Sequence, residues 1–213
     1  MANKEIKYIL FDFDGTLIDS MPFLEKNAVT LLMRHFSYSE QEAQTKYRET
    51  TGLPFIQQME IIAPNHTQNS TIVDEFEKMK LELIYEQHPF NDALAVLQRL
   101  KEQGYLLGIS SGTIESIITT YLKKIDFDLV NDILGFRQGF EKGADHFNYV
   151  MKNHSLSQSQ ILFVGDSLHD AKRAKDNQIT FIGRIGMFTK SHFENVIPNC
   201  PIIHKLNEIF NRL

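Results

Sequence analysis

The 213-residue chain has one cysteine, no basic block and no apolar run approaching the length of a membrane span. Each lack removes a class of protein. A single cysteine cannot close an intramolecular disulfide, and Cys200, in a tail segment between Asn199 and Pro201, is expected to have no chemistry. A formal net charge of -5 offers no extended cationic surface to nucleic acid or to an anionic membrane, although a local positive site could hold a small anion. The stretch MANKEIKYIL carries one short apolar segment that meets Asp12, which is no signal-peptide core, so a reducing cytoplasm is the expected compartment. Internal repeats and low-complexity segments are absent as well. What is there, 42% hydrophobic and 23% charged residues, is ordinary for a globular chain. The length suits one substantial core with a smaller appended unit. A small molecule is the expected partner, and a monomer or weak homodimer the expected state.

Short apolar runs ending in Asp, Ser or Gly recur: Ile6 to Phe11, YLLGI at 105–109, ILFV at 161–164 and ITFI at 179–182. Both faces of each are apolar, the pattern of a parallel sheet covered on both sides by helices. Helical segments alternate with them, as parallel connections require. Asn91 can cap a helix with Leu94, Leu97 and Leu100 inward and Gly104 as its stop. A second helix is expected from about Thr113, with Ile114, Ile117, Ile118 and Tyr121 on one stripe. Phe147, Val150 and Met151 mark another, and Ala171 and Ala174 lie on a short one. The predicted class is α/β: a Rossmann-like, mostly parallel sheet with helices on both faces.

From Ser20 to His88 helical stripes follow one another without a strand. Ser20 before Pro22 is a helix start, Ser39 with Glu42 is a capping box, TGLPF at 51–55 is a turn, and Ile72, Val73, Phe76, Met79, Leu83 and Ile84 form a long stripe. This segment reads as an all-helical cap domain over 18–88, inserted into a core domain made of 1–17 and 89–213. Its two connections, near Leu17 to Ser20 and His88 to Phe90, make a hinge pair.

Open parallel sheets bind ligands beyond the carboxyl ends of their strands. There the sequence brings Asp12 and Asp14, then Ser110 and Ser111 before Gly112, then Asp166 and Asp170 in GDSLHD, with Lys142 in the FEKGAD loop. Carboxylates without clustered His or Cys select a hard cation, and Mg²⁺ is the one commonly held by carboxylates while contacting phosphate. Such a set suits transfer of a phosphoryl group from a monoester: Asp12 as nucleophile, Asp14 as acid and base, Lys142 lowering the negative charge, and the Ser110 hydroxyl holding phosphate with N–H groups at a helix start after Gly112.

DFDGT, Ser110 after an apolar strand, Lys142 and VGDSLHD resemble, in order, the four motifs of haloacid dehalogenase-like hydrolases. The resemblance spans roughly Ile6 to Leu17 and Phe90 to Ile185, and the helical insertion is similar to the caps of phosphoglycolate-phosphatase-like members. It implies catalytic roles for Asp12, Asp14, Ser110 and Lys142. Substrate would be bound by Ser110, Ser111, Gly112 and Lys142, and Mg²⁺ by a set drawn from Asp12, Asp14, Asp166 and Asp170. Asp170 would either join the metal shell or orient Lys142. An acid at Asp14 sets the chain apart from true dehalogenases and phosphonoacetaldehyde hydrolases. Gly143 stands where many phosphoglycolate-phosphatase-like members have proline. The expected activity is a Mg²⁺-dependent phosphatase for a small phosphorylated metabolite. A sugar-phosphate mutase is the enzymatic alternative, and a receiver-like or catalytically idle phospho-binding protein the non-enzymatic one.

Overall fold

Residues 6–213 are described by a computed structural model of the chain. In order, the elements are β1 (Tyr8–Phe11), α1 (Met21–Phe36), α2 (Glu40–Thr50), α3 (Phe55–Ile62), α4 (Asn69–Leu83), α5 (Ala93–Glu102), β2 (Leu106–Ile114), α6 (Glu115–Lys124), β3 (Asp132–Phe136), α7 (Ala144–His154), β4 (Ile161–Gly165), α8 (Leu168–Asp176), β5 (Thr180–Arg184), α9 (Lys190–Val196) and β6 (Ile202–Ile203). The strands form one parallel sheet in the order β3-β2-β1-β4-β5-β6. Strand order reverses at β1, which lies between β2 and β4 and so opens a crevice at its carboxyl end.

The alternation of strand side chains explains why both faces are apolar. Ile9, Phe11, Ile109 and Val164 pack against Val96, Leu97 and Ile118 of α5 and α6, whereas Tyr8, Leu10, Phe163 and Phe181 pack against Phe147, Ala171 and Phe193 of α7, α8 and α9. All four residues of β1 are fully buried. At about 1.5–3 kcal/mol for each large apolar side chain, this strand anchors the sheet and everything that follows it.

Helices α1 to α4 are inserted between β1 and α5 as a cap-like region with an apolar cluster of its own, including Leu24, Leu31, Tyr47, Phe55, Met59 and Phe76. The Ser39–Glu42 capping box forms as the sequence predicts, and Pro22 sits in the first turn of α1. The two chain connections run side by side: Asp19 donates its N–H to His88 O at 3.0 Å, and Phe90 donates to Leu17 O at 3.0 Å. Among the described residues no helix is long and apolar enough to cross a membrane.

Several local expectations are corrected. Strand β2 does not stop at Ile109 but runs to Ile114, because beyond an irregularity after Ser110 it pairs again with β3, Ile114 opposite Phe136. The following helix therefore begins at Glu115, and Ile114 is exposed rather than part of its buried stripe. Helix α5 begins after Asp92, which turns Ala93, Val96, Leu97 and Leu100 inward and leaves Leu94 43% exposed. The sequence reading lacks β3, β6 and α3. DILGF is broken by Asp132 and Gly135 at a half-exposed edge, and a two-residue strand has no periodicity to detect.

Candidate active site

Strand pairing builds the acidic centre. Asp12 and Asp166 directly follow β1 and β4, neighbours in register with Phe11 opposite Val164, and the Asp12 N–H bonds Val164 O at 2.8 Å. Asp170 comes from the first turn of α8, whose N-cap Ser167 accepts the Asp170 N–H at 3.1 Å. Carboxylate oxygens of Asp12, Asp166 and Asp170 lie within 4.8 Å of one another, all buried. The turn after Asp12 needs glycine: Gly15 has φ +76°, and a Cβ there would come 2.2 Å from Asp166 Oδ2.

Lys142 enters from the loop before α7. Its Nζ stands 2.8 Å from Asp12 Oδ1 and 2.6 Å from Asp170 Oδ1, with 2% of the side chain exposed, so solvent screens these pairs little. Gly143, at φ +115°, supplies a backbone conformation that proline cannot adopt, which accounts for the departure noted in the sequence. Burial by itself would lower the lysine, but the Asp12 and Asp170 carboxylates outweigh it and hold the ammonium above its usual pKa.

One lysine does not neutralise three buried acids. Burial pushes Asp12 up to about 6 despite Lys142, and burial, with Asp12 and Asp170 nearby, raises Asp166 well above its ordinary value. Asp170 Oδ2 is buried without a hydrogen-bond partner. Arg173 reaches only to 3.5 Å from Asp170 Oδ1 and donates instead to Gly52 O of the cap at 2.7 Å. An all-oxygen, acid-rich cluster with an unpartnered oxygen fits a hard divalent cation.

A pH prediction follows from the raised acids. In the metal-free chain the native state holds the Asp12 proton to about pH 6, whereas the unfolded chain releases it near 3.8. Native protein thus binds more protons between these values, so this group makes stability fall as pH rises through that window. A bound cation replaces the protons. The rise in Tm caused by Mg²⁺ is therefore expected to grow from pH 5 to pH 7 in differential scanning fluorimetry; a shift that shrinks over that range would place the metal elsewhere.

Asp14 stands apart from the three-acid cluster. Ser20 donates to its Oδ1 at 2.7 Å and Thr113 to its Oδ2 at 2.5 Å. Lys80, from α4 of the cap, donates to Thr113 Oγ1 at 2.5 Å and lies 3.6 Å from Asp14 Oδ2. The Asp14 carboxylate thus lies outside the cluster of Asp12, Asp166 and Asp170 and lines the cavity between core and cap. This cavity, of about 70 Å³, is lined by Asp12, Lys142 and Asp166 from the core and by Tyr47, Phe55 and Glu77 from the cap.

The two serines separate. The fully buried Ser110 hydroxyl is hydrogen-bonded to His146 Nδ1 at 2.8 Å and does not line the cavity. Burial, with Lys142 and Arg173 nearby, lowers His146 to about 3, so the imidazole is neutral and the pair ties α7 to β2. Ser111, Gly112 and Thr113 line the cavity instead. They belong to the extended end of β2, so the N–H groups after Gly112 are not a helix start as expected. Ser110 and Ser111, as strand neighbours, point oppositely, and past Ser110 the register shift carries Ser111, Gly112 and Thr113 along the cavity, with the Thr113 N–H donating to Ser111 Oγ at 3.0 Å.

Lys80, Thr113 and Glu77 escaped the sequence reading. On α4 the lysine and glutamate read as the polar side of an amphipathic helix, and nothing local tells that this side meets Thr113, 33 residues away in the chain.

Residues 9–184 match the family described as haloacid dehalogenase-like hydrolase. A protein named phosphoglycolate phosphatase from Aliivibrio fischeri is 27% identical over 189 residues, covering 81% of each chain. One named pyrophosphatase PpaX from Bacillus thuringiensis is 27% identical over 179 residues, covering 78% of this chain and 77% of its own. Among solved structures, a haloacid dehalogenase-like family hydrolase from Streptococcus pneumoniae superposes with a TM-score of 0.81 at 24% identity, over 97% of this chain and 98% of the other, a likeness of fold. The ordered motifs, the parallel sheet with its helical insertion and the match across 9–184 together make this chain a member of the haloacid dehalogenase-like hydrolase family.

Proposed function

We propose that the protein is a Mg²⁺-dependent phosphatase that hydrolyses a small phosphate monoester through an aspartyl-phosphate on Asp12. The observation that carries this is the convergence of the Asp12, Asp166 and Asp170 carboxylates within 4.8 Å beside buried Lys142, with Asp14 facing the same cavity. The relatives named as phosphatases support the reaction class. Asp12 and Asp166 would hold the cation, with Asp170 completing the shell or orienting Lys142; the bound cation supplies charge neutralisation at the phosphoryl oxygens.

The chain's own residues do the rest. An Asp12 oxygen attacks phosphorus as the bond to the leaving oxygen breaks, and Asp14 gives that oxygen a proton. Asp14 then takes a proton from water, which attacks the aspartyl-phosphate, releases phosphate and restores Asp12. Ser20 and Thr113 hold Asp14 at both oxygens, so its position does not depend on substrate. Lys142 offsets charge on the phosphoryl oxygens from the side of Asp12. In this reading 18–88 act as a cap domain, hinged at the paired connections, that closes over the cavity and excludes water.

The test is phosphate release from p-nitrophenyl phosphate and a panel of phosphorylated metabolites, with Mg²⁺ and with chelator. Mg²⁺-dependent release supports hydrolysis. Movement of phosphate between positions of one sugar without release would replace it with the mutase reaction. Phosphate binding is assigned to the Ser111 hydroxyl and the neighbouring backbone. Ser111→Ala is expected to lower kcat/KM by about tenfold or more, whereas Ser110→Ala should lower Tm with a smaller kinetic effect. The reverse order would return the phosphate-binding role to Ser110.

A further inference from the structure

The leaving-group end of the cavity has an imbalance of charge. Asp14, which faces the scissile oxygen in the proposed reaction, marks that end. Beside it, the cap contributes Glu77, Lys80 and Tyr47 with the stacked rings of Phe55 and Phe76, 3.7 Å between centroids. Lys80 is the one cation there among the described residues, and it is already directed at Thr113 and Asp14. Glu77 has no hydrogen-bond or ion-pair partner among the described residues, although it lines the cavity and is half-buried. The Tyr47 hydroxyl makes no hydrogen bond among the described residues, while its ring is buried in the cap. Two acids therefore face one lysine where the leaving group must sit.

From this we infer that Glu77 is a specificity residue, selecting phosphate monoesters whose leaving group carries no negative charge and donates a hydrogen bond. The inference rests on the phosphatase reading and deepens it. A carboxylate or second phosphate on the leaving group would enter beside Glu77 and Asp14 with no free cation among the described residues to receive it, and like charges on partly buried groups repel more than in bulk water. A hydroxyl or ammonium would instead give Glu77 its missing partner, and Tyr47 could accept or donate a second bond. Preference should therefore run against phosphoglycolate and pyrophosphate, the substrates in the names of the relatives.

The experiment compares kcat/KM at pH 8 with Mg²⁺ for glycerol 1-phosphate and phosphoethanolamine against phosphoglycolate and inorganic pyrophosphate, with p-nitrophenyl phosphate to establish turnover. The uncharged or cationic esters are expected to lead by about tenfold or more, equivalent to about 1.4 kcal/mol. The two leading compounds distinguish a hydroxyl from an ammonium as the donor. In Glu77→Gln, which keeps volume and removes charge, that preference should shrink by about tenfold. Turnover of p-nitrophenyl phosphate with a preference for phosphoglycolate or pyrophosphate would overturn the inference and leave the phosphatase reading standing. Absence of turnover on every ester would overturn the phosphatase reading. In that case calorimetry with Asp12→Asn and Mg²⁺ still decides selectivity: equal or tighter binding of phosphoglycolate than of glycerol 1-phosphate would remove the role of Glu77.

Discussion

Asp12→Asn is expected to lower kcat by about three orders of magnitude or more, while Tm stays near that of the parent protein. The amide keeps the volume of the side chain and its place after β1, where the backbone bond to Val164 is untouched. It removes the oxygen nucleophile outright. Stability should be spared because Lys142 retains Asp170 at 2.6 Å and because burial already strains the Asp12 charge, pushing its pKa to about 6. Mg²⁺ affinity should weaken, since one of three converging carboxylates is lost. Burst measurement with p-nitrophenyl phosphate checks the chemistry and thermal melting checks the fold. Near-normal turnover by the variant would take the nucleophile's role from Asp12.

Lys142→Met should have the opposite signature, with stability and activity failing together. The ammonium is the main counter-charge within the acidic centre, bound to Asp12 and Asp170, and almost none of it is exposed. Removing one partner from a buried ion pair typically costs about 3–5 kcal/mol, because the charge left behind has neither water nor a cation. Here two contacted carboxylates are left, with Asp166 beside them. Some of the loss can be relieved by protonation, so the variant's deficit in chelator should deepen as pH rises from 5 to 7, and Mg²⁺ should restore part of it. Activity should not return with stability, because the phosphoryl oxygens lose their fixed cation. Denaturant melts with and without Mg²⁺ measure the first effect. A variant as stable as the parent in chelator at pH 7 would mean that the acids are not held by this lysine.

The contrast between the two substitutions shows how the centre is balanced. Asp12 carries its charge at a cost in desolvation, Lys142 offsets part of that cost, and the cap supplies contacts that neither core strand could provide. Lys80 reaches Thr113, and Arg173 of the core reaches Gly52 O in the cap, so the cap is tied to Asp14 on one side and to the helix bearing Asp170 on the other. In the proposed reaction, closure of the cap and completion of the acid–base site would be linked through these same side chains.

Much of this was legible in one dimension. Tyr8 to Phe11 could only be a strand buried on both faces, because an unbroken apolar run that short has no wet side to offer. Asp12, Asp14, Lys142, Asp166 and Asp170 could be singled out because acids and a lysine next to buried strands or helix starts are expensive unless they act together. The capping box at Ser39 and the helical insertion were equally local, written in spacing and in hydrogen-bonding side chains. Other features depended on who packs beside whom. Whether Ser110 or Ser111 faces the ligand was decided by the pleat of β2 and by His146, 36 residues away. That Lys80 and Glu77 line the cavity was decided by how α4 lies over the crevice. The sequence determined which residues had to be buried, capped or paired, since those costs are local. Tertiary structure alone decided which partner each one found, because direction and distance arise only when strands, loops and cap meet.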